Sequence, residues 1–404
     1  MGVVLETSIP QTPIAIGGCG AVTALGRGLD PLERALPANT SGLRPCERIA
    51  DWRLQAAVAG QVPEPVFEAL RADDPTHADA RAFLLAREAL RQAEQSAGEV
   101  WTSASPARRG LVLSTTKADV MALERVHQGE SCSSVARRHI LPGALATDLA
   151  AALEVRGPVQ CVSAACISGL LALQQGVAMI RRQEADAVAV VGVDLASQFV
   201  LSGFTTLKSL DPEGCRPFDK GRLGLSLGEG AGAVVLARRE PVPSRCLTVT
   251  GWGTSNDANH LTGPSRDGSG LALAIGRALA KAGVAPDMID YVNAHGTGTL
   301  YNDAMESLAF RSVFGERVPP FSSTKGLLGH TLGAAGVLET VVCALAVKLA
   351  LLPGTPRLRE PDPAVPGSIL VEPRPVATLR RILKINCGFG GTNAALVLEV
   401  AGGP

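Results

Sequence analysis

Four segments hold the residue types that nucleophilic chemistry needs. The first, CVSAACISGLLALQQG, begins at Cys161 and sets Cys166 ahead of an apolar run rich in small residues. If that run is a helix, Cys166 sits in its first turn, where unpaired N–H groups and the positive end of the dipole favour a thiolate. Free cysteine is also commonly plain buried core, and Cys161 reads as strand core. The second segment, VNAHGTGTLYNDAMES, ends a strand on His295, and carboxyl ends of strands are where α/β proteins build sites. Thr297 and Thr299 offer hydroxyls there. In the third, SSTKGLLGHTLGAAGVLE, Lys325 and His330 flank a glycine-rich helix start and Glu339 follows. A buried Lys and Glu would have to pair. The fourth, NCGFGGTNAALVL, turns through glycines around Phe389. Such a turn can free backbone N–H groups for an oxyanion, with Phe389 as a movable apolar lid. A cysteine, two histidines and a source of backbone N–H groups together form a set that acyl transfer can use.

These residues need a scaffold. A chain of 404 residues suggests two domains or one large fused unit. ADAVAVVGVD and EGAGAVVLARR have the continuous apolar character of strands buried on both faces, and helical segments lie between the strands. The class is therefore α/β with partly parallel sheets. The second part of the chain repeats the order of the first. RAFLLAREALRQA precedes the strand RGLVLSTT, as ALAIGRALAKAGV precedes IDYVNAHGT, and SAAC corresponds to SSTK before a long apolar helix. The Pro-rich REPVPSRC marks the boundary, giving halves 1–243 and 244–404.

Composition excludes several classes. Lys plus Arg and Asp plus Glu are both 38, and aromatics are 3%, so neither nucleic acid nor an anionic membrane is favoured as a partner. The N-terminus lacks a signal-peptide pattern, and GVLETVVCALAVKLALLPG carries Glu339 and Lys348, as a buried soluble helix would. Nine cysteines with no zinc-site spacing read as reduced cytoplasmic thiols, with no metal expected.

SAACISG, PFDKGRLGLSLGEGAGAVVL, VNAHGTGTLYNDAMES, STKGLLGHTLGAAG and GFGGTNAALVL together resemble the elongating, stand-alone β-ketoacyl-acyl-carrier-protein synthases of the thiolase-like superfamily, over nearly the whole chain. The resemblance implies a duplicated five-layer αβαβα fold. It also implies a homodimer, or a heterodimer with a chain-length-factor-like subunit. It implies decarboxylative condensation of a malonyl carrier thioester with an acyl group held on Cys166. No cofactor is implied beyond the phosphopantetheine arm of the acyl carrier protein. His295 and His330 would stabilise the enolate oxygen, and Lys325 would pair with Glu339 and hold His330. The N–H groups of Cys166 and Phe389 would form the oxyanion hole, and Thr297 and Thr299 would bind the arm. Two other roles compete: a non-catalytic chain-length partner, and a starter-loading acyltransferase. The intact Cys166 argues against the first, and the two-histidine site against the second.

Three departures from the family pattern point to a specialised pathway. Lys117 and Asp119 stand where housekeeping relatives carry a glycine-rich segment with an apolar residue lining the acyl pocket, either as a salt bridge or as part of a pocket for an unusual polyene or aryl chain. Cys387 replaces a usual Phe before the gate. RADDPTHADARAF is rich in Asp where relatives often place cations for the acidic carrier, leaving Lys208 and Arg71 as docking candidates. His77, His127 and His139 read as surface residues, and His260 falls on a loop near the entrance.

Overall fold

The computed structural model describes residues 13–46, 58–238 and 246–401. Five strands of the first half are β1 (Ile14–Thr23), β2 (Arg109–Ser114), β3 (Val159–Val162), β4 (Ala187–Asp194) and β5 (Gly230–Arg238). The second half supplies β6 (Leu247–Asn256), β7 (Tyr291–Asn293), β8 (Phe321–Ser322), β9 (Arg381–Gly388) and β10 (Thr392–Val400). Their order in space is β8-β7-β9-β10-β6-β1-β5-β4-β2-β3. Read outward from the centre, each half has the same sequence of strands. In both, the second strand is parallel to its two neighbours and the remaining pairs are antiparallel. The halves join through β1 and β6, at Ile14 with Val249 and Ala15 with Thr248.

Helices complete the layers: α1 (Arg81–Ala97), α2 (Val120–His127), α3 (Ser168–Arg181), α4 (Gln198–Thr206), α5 (Ser269–Ala282), α6 (Leu300–Phe314) and α7 (Ala335–Lys348). Strand alternation sorts the cores. Leu111 and Leu113 of β2 face the core containing α1, whereas Val112 faces the central core with α3 and α7. In the second half, Ile382 faces the same central core, while Leu383 and Ile385 face the one containing α5. The result is helix, sheet, paired central helices, sheet, helix: five layers.

Glycine sets the spacing in both halves. A Cβ on Gly18 or Gly20 of β1 would fall 2.2 and 2.0 Å from the carbonyls of Ala93 and Ala89 on α1. Gly251 and Gly253 of β6 meet Ala278 and Ala274 of α5 at 2.2 and 2.1 Å. At the centre, α3 and α7 cross at Gly169 and Gly336, where either Cβ would strike the other backbone. The crossing brings the amino ends of both central helices to one place. Helix α7 is buried almost all round, and among the described residues no helix is long and apolar enough to cross a membrane. The sequence boundary at REPVPSRC lies outside the described residues but for Cys246.

Three sequence readings are corrected here. Cys161 lies on a strand but is exposed, because β3 is the outermost strand and Val159 and Cys161 share its open face. His139 is fully buried, stacked on Phe83 at 5.0 Å, with Nε2 2.9 Å from Asp148. His77 is half-buried beside the same Phe83, whereas His127 is exposed. Lys117 and Asp119 do not pair. Asp119 is fully buried and caps α2, accepting from the N–H groups of Ala122 and Ala82 at 3.1 and 3.0 Å. It thus ties α2 to α1, and burial pushes its carboxyl up to about 6.

Candidate active site

Cys166 lies just ahead of α3 rather than in its first turn: Ile167 is the N-cap, and Ala165 takes a left-handed φ of 47°. Ser168 Oγ holds this bend, accepting from Ala164 N–H at 2.7 Å and donating to Ala165 O at 2.6 Å. The bend turns the thiol towards the end of β9. There a Cβ on Gly388 would come within 3.2 Å of the Cys166 nitrogen, and the Phe389 N–H points at the sulfur. The Phe389 ring stacks on Phe204 of α4, with centroids 5.7 Å apart. Burial pushes the thiol up to about 11 against the opposing fields of Lys325 and Lys117, so the free thiol is neutral.

Both histidines converge on this sulfur. His330 Nε2 is 3.0 Å from Cys166 Sγ, and the rings of His295 and His330 meet edge-on at 5.1 Å. His330 Nδ1 accepts the N–H of Leu332 at 3.2 Å. His295 Nδ1 receives Lys325 Nζ at 3.1 Å and Asn386 Nδ2 at 3.0 Å. With donors on both Nδ1 atoms, each neutral ring carries its proton on Nε2. Burial and the nearby Lys325 hold both imidazoles well below their ordinary range, hence neutral. Cys166, His295 and His330 present ligand-type atoms within 4.8 Å of one another. That tautomer nevertheless offers a metal two N–H groups rather than two lone pairs.

The sequence reading of Lys325 was right about Glu339 and wrong about the histidine. Lys325 Nζ reaches Glu339 Oε1 at 2.7 Å, but it holds His295, through both Nδ1 and the carbonyl oxygen at 2.6 Å. His330 depends instead on backbone: Leu332 at its ring, Ser226 at its N–H and Gly228 at its carbonyl. A second lysine was missed. Lys384 of β9 is fully buried, with Nζ 2.9 Å from Glu339 Oε2, and Asn386 Nδ2 donates to the same oxygen at 2.9 Å. Two ammoniums therefore share one carboxylate, which is held down at about 2 by Lys325 and Lys384 despite burial. The sequence signal was a lysine inside the apolar strand RILKINCG, which needs a buried counter-charge.

Asp303 and Glu306 of α6 were also missed. Glu306 accepts the N–H groups of His295 and Gly296, both at 2.7 Å, and Asp303 those of Thr297, Gly298 and Phe218. Burial and Asp303 push Glu306 up to about 7. Together they fix the loop that carries Thr297 and Thr299, whose hydroxyls lie 2.9 Å apart.

A cavity of about 360 Å³ opens from Cys166, His295 and His330 to the surface. Thr297, Thr299, Cys387, Phe389, His260 and Lys208 line it. Neither Lys117 nor Asp119 does, and Arg71 lies over Phe67 on the helix Glu64–Asp73. Lys117 is half-buried, donating to Thr116 Oγ1 at 2.9 Å, and its charge acts on both Asp194 and Cys166. Asp194 in turn binds the N–H groups of Thr116 and of Gly333, three residues past His330.

Models of the β-ketoacyl synthase N-terminal domain match residues 11–241 and of its C-terminal domain residues 247–359. The chain belongs to the β-ketoacyl synthase family. It is 31% identical to 3-oxoacyl-[acyl-carrier-protein] synthase 2 of Coxiella burnetii over 96% of this chain and 98% of that one. It is also 31% identical to the tetracenomycin polyketide synthase ketoacyl synthase alpha subunit of Streptomyces glaucescens, over 95% and 96%. Among solved structures, the ishigamide ketosynthase/chain length factor matches with TM-score 0.89 and 31% identity, over 97% of this chain and 100% of that one. The five-layer fold and an acyl-transferring synthase activity thus follow for a β-ketoacyl synthase built on the thiolase-like plan.

Proposed function

We propose that this synthase elongates a carrier-bound acyl chain by two carbons, with Cys166 as nucleophile and His295 and His330 as the decarboxylation pair. The observation that carries the assignment is the matched tautomer: both imidazoles have Nδ1 occupied by donors and Nε2–H directed to the cavity beside the thiol. In the first half-reaction the Cys166 sulfur attacks the acyl thioester, and the N–H groups of Cys166 and Phe389 receive the oxyanion. The carrier's thiolate departs and takes the proton that Cys166 releases. In the second, the malonyl C–C bond to carboxylate breaks, carbon dioxide leaves, and the electron pair becomes an enolate. Its oxygen accepts from both Nε2–H groups, which a neutral imidazole can donate at no cost in proton transfer. The enolate carbon then attacks the Cys166 acyl carbonyl; the C–C bond forms, the C–S bond breaks, and the Cys166 thiolate takes a proton from water.

Every charge that develops in this sequence has a side-chain or backbone donor facing it, so the reading calls on no cofactor beyond the phosphopantetheine arm. Thr297 and Thr299 would hold that arm. A reduced, cytoplasmic setting suits a thiol nucleophile. The partners are an acyl carrier protein and a second chain of the same fold, a copy of this one being the assembly that the open edge of β3 supports. Cys387 lines the cavity, which supports a specialised acyl group over a housekeeping one. The halves 1–243 and 244–404 carry the nucleophile and the two histidines respectively.

The test is a split of the half-reactions. His295→Ala and His330→Ala are expected to abolish release of carbon dioxide from malonyl carrier while Cys166 still accepts an acyl group. Decarboxylation at the wild-type rate in either variant would contradict the assignment.

A further inference from the structure

His330 is held in place by the other half of the chain. Its N–H donates to Ser226 O at 2.7 Å, and its carbonyl accepts the Gly228 N–H at 2.9 Å. The bond that fixes its ring, from Leu332 N–H to Nδ1, comes from a turn in which Leu332 takes a left-handed φ of 52°. A buried leucine adopts that conformation only where its surroundings impose it. The next residue shows what imposes it. Gly333 N–H donates to Asp194 Oδ2 at 2.6 Å, and Gly333 O accepts from Ser114 Oγ at 3.0 Å. Asp194 ends β4 and Ser114 ends β2, so both grips on the turn come from strand ends of the first half. A Cβ on Gly333 would stand 2.8 Å from Asp194 Oδ2, so the contact leaves no room for a side chain.

Asp194 is almost fully buried, and its other partners fix where its carboxylate points. It accepts from the Thr115 hydroxyl at 2.9 Å, and from the N–H and hydroxyl of Thr116 at 3.0 and 2.9 Å. Lys117 Nζ reaches the same Thr116 oxygen at 2.9 Å, which sets a positive charge one hydroxyl away from the carboxylate. Of these donors to Asp194, Gly333 alone belongs to the second half. The duplication gives Asp194 a counterpart. Ser114 pairs with Gly192 as Asn293 pairs with Lys384, so two residues on, Asp194 stands beside Thr116 as Asn386 stands beside His295. Asn386 fixes His295 through its ring. We propose that Asp194 is the positioning residue for His330, holding the Leu332–Gly333 turn so that the Leu332 N–H stays on Nδ1 and the proton stays on Nε2. The inference rests on the reading that His330 donates to the enolate through Nε2–H. It also gives Lys117 a task within the protein, as counter-charge to a buried carboxylate rather than as wall of an acyl pocket.

Isotopic labelling of the ring nitrogens of the six histidines, read by NMR, reports which nitrogen carries the proton whether or not turnover occurs. The His295 and His330 signals are assigned by their loss in His295→Ala and His330→Ala. Wild-type protein is expected to show both rings protonated on Nε2. In Asp194→Ala the His330 ring should shift towards the form protonated on Nδ1, while His295 stays as it was. Gly333→Ala keeps the carboxylate and its charge but wedges the turn away from it. It should move the same signals, and it carries the test if Asp194→Ala fails to fold. In both variants kcat for release of carbon dioxide from malonyl carrier should fall about tenfold, the size of one lost hydrogen-bond partner, with KM within about twofold of wild type. His330 signals unmoved in either folded variant would overturn the proposal. So would equal movement of both rings, which would make Asp194 a prop of the whole fold. A moved His330 ring with undiminished decarboxylation would uphold the placement and count instead against the use of that ring in the proposed function.

Discussion

At the residue scale, the chemistry rests on which nitrogen of each imidazole carries the proton, and two different devices fix it. His330 is set by backbone alone, whereas His295 is set by Lys325 and Asn386, which in turn lean on Glu339 and Lys384. The active form has both rings neutral, and both are held well below the usual histidine range. Decarboxylation should therefore be flat through pH 6.5 and fall only on the acid side, well below it, as a ring gains a proton. Removing a neighbouring positive charge raises the pKa of His295, so Lys384→Met should move that fall to higher pH. The variant should also slow decarboxylation roughly tenfold, one displaced hydrogen-bond partner's worth, while leaving Cys166 acylation near wild type. A pH–rate profile for release of carbon dioxide reads both; an unmoved acid limb would show that Lys384 only fills space. The sequence made Cys166, His295, His330 and the Lys325–Glu339 pair legible, since each sits in a motif of fixed spacing. It did not show that Lys325 serves His295, because that choice depends on β7 and β8 lying side by side, so that the two residues leave adjacent strand ends. Lys384 was readable in principle as a charge stranded in an apolar strand.

At the element scale, the duplication explains both the fold and the meeting of the motifs. The same strand order is laid down twice, the same Gly-x-Gly pair on the first strand admits a helix, and two central helices cross at glycine. Each half ends its chemistry at the amino end of a central helix, so the crossing delivers Cys166 and His330 to one point. Gly253→Leu should destabilise by about 1–3 kcal/mol or more through overpacking against α5, read as a lower urea midpoint. Gly276→Leu is the control, since a Cβ at Gly276 meets nothing within 4 Å. Equal effects would contradict the packing account. Asp119→Ala should cost about 1–2 kcal/mol by leaving the Ala82 and Ala122 N–H groups without an acceptor. Here the sequence misled: a charged residue beside Lys117 looked like half of a salt bridge or a pocket wall. Its partners are backbone N–H groups, which carry no mark in a sequence. His139 was misread for the same reason, its polar neighbours in the chain giving no sign of the Phe83 ring it packs on.

At the scale of the whole molecule, the open edge of β3 is the surface on which the proposed pairing rests. Val159 and Cys161 project from that edge with its hydrogen-bonding groups unpaired by any described strand, a template for adding a second sheet. Wild-type protein should sediment as a two-chain species and Val159→Lys as a single chain; a variant that stays paired would place the interface elsewhere. That edge could not be read from the sequence, because an edge strand is defined by what the fold leaves uncovered. The central claim, that Cys166 is the atom on which chain elongation turns, has a direct test. Purified protein is incubated with malonyl carrier and a panel of saturated, polyene and aryl acyl carriers, and all carrier products are followed by intact mass. The account predicts a β-ketoacyl carrier two carbons longer with wild-type protein and none with folded Cys166→Ala. Elongation that survives in Cys166→Ala, or acylated wild-type protein that never elongates, would contradict it.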